Sequence, residues 1–299
     1  MPIFSFVILH YQTADDTIKC VDSIYNTVDY PKVNIVVVDN ASPNNTGITI
    51  KEHYREKSNF TFIQNTANIG FAKGNNVGYA YAKHTLKSDF IAIINNDTFI
   101  EQAEFLSNIV DCYNKKSFHI LGPDIISVKD KRHQNPRIET LSDPPVIRKF
   151  IRTYTLMYIL SIFNLDLKAE SLKKKIIPGS KLPSSNRDEN RFNFKEEMEN
   201  VKLHGSAVVY SPDFIKNYEY GFYPDTFIYC EESILNFIVK RDNLKTIYYP
   251  QSWIYHTEDS ATDAVYRKPH KKRKFYYKNF IRSSRVLLKL MKERKNKER

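Results

Sequence analysis

The sequence predicts an α/β fold: a mostly parallel sheet with helices on both faces, then a helical insertion and a basic C-terminal helical tail. Two observations carry this. Short apolar runs rich in β-branched residues alternate with segments of helical spacing from residue 4 to residue 123, which is the pattern of strands buried on both faces. Several of those runs end in Asp or Asn, and open α/β sheets bind ligands beyond the carboxyl ends of their strands.

Phe4 to Leu9 reads as the first strand. Asp15 to Asn26 follows as a helix, with Ile18, Val21, Ile24 and Tyr25 on one face. Val33 to Val38 is a second strand that ends at Asp39, Ile48 to Lys57 a helix, and Phe60 to Gln64 a third strand. Asn68 to Gly74 reads as a loop and Asn75 to His84 as the helix after it. Phe90 to Ile94 is a fourth strand ending in Asn95-Asn96-Asp97, Glu101 to Asn114 a helix, and Ile120 to Pro123 a further strand. The stretch from 129 to 200 lacks strand alternation; one or two helices are expected within Val146 to Leu165, as an inserted subdomain packed on the core or, alternatively, an acceptor lid or membrane-facing helix, then a loop through Pro178, Gly179 and Pro183. Regular structure resumes at Val201 to Tyr210, with a helix from Glu231 to Arg241 and a strand from Lys245 to Tyr249.

The polar residues at these strand ends are the candidate site. Asp97 can supply the oxygen ligand that a hard divalent cation needs, with Asn95 beside it; alone, Asp97 is as well explained as a helix cap. Asp39 can accept hydrogen bonds from a base N–H or a ribose hydroxyl, and its plain alternative is a turn or cap. Gly70 and Gly74 permit close backbone approach, and neighbouring asparagines can donate amides to a diphosphate or a sugar. Glu231-Glu232 opens a helix, where a carboxylate pair is ordinarily a solvated start near the positive end of the dipole.

Taken in order after His10-Tyr11-Gln12, these blocks resemble family 2 glycosyltransferases with the GT-A fold, a nucleotide-binding, Rossmann-like sheet. His204-Gly205-Ser206-Ala207, Tyr229-Cys230-Glu231-Glu232-Ser233 and Ile254-Tyr255-His256 resemble the family's later motifs. The resemblance covers roughly 3–125 and 200–260. It implies a nucleotide-sugar half at 1–128, an insertion at 129–200, an acceptor and catalytic-base half at 201–266 and a tail at 267–299. It implies a donor site at Tyr11, Asp39, Asn68, Gly70, Gly74, Asn75, Asn95 and Asn96. Asp97 and His256 would hold a divalent metal, Mn or Mg, and Glu232, with Glu231 beside it, would be the catalytic base. Asn95 replaces the first acid of the family's usual Asp-X-Asp, and Glu232 stands where that family has aspartate. The Asn-Asn-Asp-Thr and Glu-Glu forms resemble rhamnosyl and other capsule-building enzymes. That implies a UDP- or dTDP-linked donor and a glycan or lipid-linked glycan acceptor.

Charge is segregated. Residues 267–299 carry 15 Lys+Arg and 2 Asp+Glu, a balance of +13, so the net +11 leaves −2 for residues 1–266. Lys271-Lys272-Arg273-Lys274 followed by Ile281, Leu287, Leu290 and Met291 reads as a basic amphipathic helix suited to an anionic membrane surface, its alternative being a terminal helix packed partly on the body. No nucleic-acid reading motif accompanies the charge. Three cysteines without CxxC spacing and a start without signal-peptide character predict a cytoplasmic protein, peripheral at the inner face of the membrane. Two rival readings stay open: a sugar nucleotidyltransferase, although Tyr11 to Asp16 lacks that class's glycine and arginine phosphate loop, and a membrane scaffold that kept the fold without turnover.

Overall fold

The structure, a computed structural model, describes residues 1–167, 192–258 and 268–297. Among the described residues nine strands form one sheet: β1 (Phe4–His10), β2 (Val33–Asp39), β3 (Phe60–Gln64), β4 (Phe90–Asn95), β5 (Thr98–Phe99), β6 (Ile120–Ser127), β7 (Met198–Glu199), β8 (Ala207–Tyr210) and β9 (Thr246–His256). Their order is β3-β2-β1-β4-β8-β6-β9-β5, with β7 paired to β9. Strands β1 to β4, β6 and β9 run one way and β5, β7 and β8 the other, which makes the sheet mostly parallel, as expected.

Among the described residues eight helices accompany the sheet: α1 (Ala14–Thr27), α2 (Thr46–His53), α3 (Phe71–His84), α4 (Phe105–Lys116), α5 (Pro144–Ile162), α6 (Pro212–Asn217), α7 (Glu231–Arg241) and α8 (Pro269–Lys297). The strand pleat divides the core. Phe4, Phe6 and Ile8 of β1, with Ile35 and Val37 of β2, face α1, α2 and α4. Val7, Val36 and Val38 face α3, α6 and α7. Residues two apart on a strand share a face, so the continuous apolar runs supply both layers at once. The register His10↔Asp39 and Leu9↔Asn95 brings the carboxyl ends of β1, β2 and β4 level, and the polar loops that follow converge there.

Several boundaries differ from the sequence reading. Helix α3 begins at Phe71, so Gly74 and Asn75 belong to its first turns and not to a loop or a later start. Helix α4 begins at Phe105 instead of Glu101. Strand β9 runs unbroken through 11 residues to His256, because its distal half pairs with the extended end of β6 and with β5. In the segment where regular structure is expected to resume, Val201 to Tyr210, Ala207–Tyr210 forms a strand, antiparallel to both neighbours. Asp143 caps α5 by accepting a hydrogen bond from the Val146 N–H at 2.9 Å, with prolines in the first turn where no N–H is needed. The expected loop through Pro178, Gly179 and Pro183 lies outside the described residues.

The tail differs most in its packing. The apolar side of α8 is not a free lipid-facing stripe. Tyr277 and Ile281 pack against Tyr154 of α5, and Leu287 and Leu290 against Ile147 of α5 and Ile234 and Ile238 of α7. The outward side of α8 presents Lys278, Arg282, Arg285, Lys289 and Lys292, all exposed.

Candidate active site

A cavity of about 780 Å³ opens at the strand ends. Tyr11, Asn68, Gly70, Asn95, Asn96, Asp97, Glu231, Glu232 and His256 all line it. Residues more than 200 positions apart therefore meet because β1, β4, β9 and the start of α7 end in one place.

On one side of the cavity, Asn40 ties down the loop before α3. Its Nδ2 donates to Asn68 Oδ1 at 3.0 Å, and its Oδ1 accepts from the Ile69 N–H at 3.1 Å. Gly70 has φ +88°, and a Cβ there would come within 2.4 Å of the Phe227 carbonyl oxygen. That oxygen accepts from the Phe71 N–H at 2.6 Å, so glycine is what lets this loop close on residue 227.

Three expected donor residues do not line the cavity. A Cβ at Gly74 would meet Leu9 Cδ1 at 2.6 Å, so this glycine serves the packing of α3 on β1. Asn75 is buried and its Nδ2 donates to the Phe71 carbonyl at 3.0 Å. Asp39 is 1% exposed, and its Oδ1 accepts from the Ser42 N–H at 3.1 Å and from the Ser42 hydroxyl at 2.6 Å. The Ser42 oxygen in turn accepts from the Gln12 N–H at 2.9 Å, so Asp39 steadies the loop that carries Tyr11. Asn96 lines the cavity, but its amide donates to Thr13 and Thr17 at 2.8 and 3.0 Å and clamps the start of α1.

Asp97 follows β4 in the turn to β5. The register Thr98↔His256 sets it against the end of β9. Its Oδ1 is 3.2 Å from His256 Nε2 and is a buried atom with no hydrogen bond. His256 Nδ1 lies 2.7 Å from Gln134 Oε1, and the Gln134 amide donates to Glu258. An amide oxygen only accepts, so Nδ1 carries a hydrogen and the outer groups fix the ring. Among the described residues no group of three His, Cys, Asp or Glu side chains is arranged around one point. An oxygen and an imidazole nitrogen, one of them orphaned, nevertheless fit a divalent cation, which Asp97 and His256 would hold.

The carboxylate pair enters from α7. Tyr229 and Cys230 precede it at φ 70° and 67°, left-handed values that cost about 1–3 kcal/mol each in non-glycine residues. This turn delivers Glu231 and Glu232 to the cavity. Glu231 is 5% exposed, its Oε1 has no hydrogen bond, and burial together with the neighbouring Glu232 pushes its carboxyl up to about 8. Gly205 leaves room beside Glu232, since even a Cβ there would stop 3.9 Å from Glu232 Oε2. Below α7, Lys202 Nζ donates to Ser233 Oγ at 2.8 Å and Asn236 Nδ2 to Glu139 Oε2 at 2.9 Å, which pins the helix start.

His204 also lines the cavity. Its Nδ1 accepts from the Ser206 N–H at 3.1 Å, and burial, with Arg137 nearby, holds the ring well below its usual pKa and neutral. Sequence reasoning missed one wall altogether. Arg132, His133, Gln134 and Arg137 lie in the stretch read as an insertion, and Phe275 in the tail. Only the density of basic and amide residues at 131–137 could have pointed to the first group.

The match to known proteins agrees with this architecture. Residues 5–169 match the model of glycosyl transferase family 2, more than half of the 299 residues, and the chain belongs to that family. It is a family 2 glycosyltransferase of GT-A fold. The crystal structure of S. aureus TarS 1-349 superposes with a TM-score of 0.55 at 16% identity, over 85% of this chain and 60% of that one. The same fragment in complex with UDP gives 0.55 at 16% identity, over 88% and 62%. S. aureus TarS gives 0.54 at 18%, over 85% and 36%. The chain thus spans about 60% of the length of the first of these, and at such identities the likeness concerns the fold alone. A search of curated protein sequences gave no significant match.

Proposed function

We propose that the chain is an inverting transferase that moves a sugar from a UDP- or dTDP-linked donor to a hydroxyl of a glycan or lipid-linked glycan, at the inner face of the cell membrane, during surface or capsular polysaccharide synthesis. The observation that carries the reading is the meeting of Glu231 and Glu232 with Asp97 and His256 in one cavity. The UDP complex of S. aureus TarS supports a uridine donor by likeness of fold. The cationic outer side of α8 supports an anionic membrane partner.

Tyr11, Asn68, Gly70 and Asn95 receive the nucleotide and its diphosphate, and Asp39 holds the Tyr11 loop from behind. Asp97 and His256 would hold the divalent metal, which when bound offsets the negative charge that develops on the departing diphosphate. Glu232 accepts the proton of the acceptor hydroxyl as that oxygen bonds to the anomeric carbon from the side opposite the leaving group. The bond from the anomeric carbon to the phosphate oxygen breaks, the nucleoside diphosphate leaves with that electron pair, and the configuration inverts. Glu231, protonated at neutral pH, is placed to donate a hydrogen bond rather than to take a proton.

The test is a thermal-shift panel of nucleotide sugars with and without manganese, followed by transfer assays with the donors that bind. A ligand that binds only the folded chain raises its melting temperature. A panel in which no UDP- or dTDP-sugar shifts the melt would overturn the donor assignment.

A further inference from the structure

Helix α5 has two unlike sides. Its inner side is buried on α8, with Tyr154 and Phe280 ring centroids 4.5 Å apart. Its outer side runs Arg148, Lys149, Arg152, Leu156, Ile159 and Phe163, at spacings that keep one helical face, and every one of these is exposed. The cations occupy the first half and the apolar residues the second. Leu156 is 57%, Ile159 49%, Ile162 51% and Phe163 69% exposed. No acidic residue occurs from Pro144 to Ile162. Single exposed apolar side chains are ordinary, but a run of them on one helix end marks a contact surface.

The surroundings indicate the partner. Phe150 lies against Phe280, Tyr154 against Tyr277, and Asp166 against Arg273 at 2.5 Å, so α5 and α8 run antiparallel. The apolar end of α5 therefore adjoins the start of α8, where Lys268 and Lys271 are exposed. One turn beyond Lys271, Phe275 lines the catalytic cavity. An apolar knuckle ringed by cations matches the edge of an anionic bilayer, whose acyl chains take the first and whose phosphates take the second.

We propose that the outer face of α5 docks on an anionic lipid bilayer: Leu156, Ile159, Ile162 and Phe163 enter the region beneath the headgroups, while Arg148, Lys149, Arg152 and Lys271 meet the phosphates. The inference rests on the reading of a peripheral membrane enzyme and moves the inserting element from the tail to α5, because the tail's own apolar side is consumed in the core. It also places the cavity next to the surface from which a lipid-linked acceptor arrives.

The test uses the full chain with phosphatidylcholine vesicles, with and without phosphatidylglycerol. The triple variant Leu156→Ser, Ile159→Ser, Phe163→Ser should bind the anionic vesicles at least about tenfold more weakly than the parent, and the parent's residual binding in high salt should vanish in the variant. A second measurement covers loss of folding in that variant. Cys20, Cys112 and Cys230 are all buried, so a polarity-sensitive dye on Phe163→Cys reports from one site, with Glu56→Cys as the control. The Phe163→Cys label should shift to the blue on anionic vesicles and the control should not. Parent and triple variant binding alike, with no dye shift, would overturn the α5 surface while leaving a membrane role for the tail. A parent that ignores vesicles altogether would overturn both. A parent that is dimeric, with a monomeric variant, would assign the face to a second copy of the chain instead.

Discussion

His256 Nε2 lies 3.2 Å from Asp97 Oδ1 without a hydrogen bond, while the opposite ring nitrogen is fixed 2.7 Å from the Gln134 side-chain oxygen. An unpartnered carboxylate oxygen beside an imidazole nitrogen is a pair of donor atoms that a divalent cation would share. Asp97→Ala should lower kcat/KM by at least about 100-fold and abolish the stabilisation that manganese adds to a nucleoside diphosphate. His256→Gln should weaken the manganese response less, since it leaves the charged ligand. Calorimetric titration of manganese into each diphosphate complex checks both, and an unaltered response in Asp97→Ala would remove this residue from the metal site.

The two glutamates should separate cleanly. Neighbouring residues on a helix point about 100° apart, so only one can face the acceptor hydroxyl. Glu232→Gln keeps size and polarity but cannot take a proton, and turnover should fall by about 100- to 10,000-fold with donor affinity near that of the parent. Glu231→Gln should be much milder, because a carboxyl raised to about 8 is already protonated at neutral pH. Single-turnover transfer measured beside donor affinity decides; an inactive Glu231→Gln with an active Glu232→Gln reverses the assignment.

The same raised carboxyl makes stability depend on pH. Glu231 binds its proton more tightly in the folded chain, about 8 against an ordinary 4.5. Between those values the unfolded state has released a proton that the folded state keeps, so this group's contribution is full below 4.5 and is lost as pH rises through 8. Glu231→Gln removes the dependence. Its melting temperature relative to the parent should therefore climb from pH 5 to pH 8, by a few degrees for each kcal/mol. A difference that is flat across this range would show that Glu231 is not held protonated.

At Gly70 the claim concerns backbone geometry. Alanine there must adopt φ +88° and set its Cβ 2.4 Å from the Phe227 carbonyl oxygen. Gly70→Ala should destabilise the fold by about 1–3 kcal/mol or displace the loop, raising the donor KM. Denaturant unfolding together with donor titration measures the two effects, and a neutral variant would mean that the loop does not need this close approach.

The first half of the fold was legible because each strand from β1 to β4 is a self-contained apolar run, and the pleat alone assigns its residues to the two layers. Asp97, Glu231 and Glu232 were legible as site candidates because their order along the chain matches a family pattern. Gly74 and Asn75 were misplaced because the helix starts four residues before Asn75, and a glycine that lets α3 approach Leu9 looks the same in sequence as one that cradles phosphate. The Arg132 to Arg137 wall was not legible, since it depends on the return of the chain along β6 through backbone bonds such as Gln134 N–H to Ile125 O at 2.8 Å. Strands β5 and β7, two residues each, exist only because β9 is there to pair with them.

The tail shows how charge can mislead. Its lysines and arginines suggested a basic amphipathic helix laid on an anionic surface, with packing on the body as the alternative; Tyr277, Ile281, Leu287 and Leu290 are at most 7% exposed and close two clusters with α5 and α7. Each such side chain stabilises the fold by about 1.5–3 kcal/mol, so the four together amount to roughly 6–12 kcal/mol, comparable with the whole stability of a typical domain. Truncation after residue 267 should therefore yield a chain that melts far below the parent or does not fold, binds hydrophobic dyes, and transfers no sugar because α7 and the Phe275 wall have lost their support. Arg282→Glu with Arg285→Glu alters only the exposed face and should melt within a few degrees of the parent while binding anionic vesicles more weakly. Thermal unfolding of the two proteins beside the parent makes the comparison. A truncated chain with the parent's melting temperature and donor turnover would show that α8 is an appendage and that the buried contacts made by Leu287 and Leu290 carry no stability.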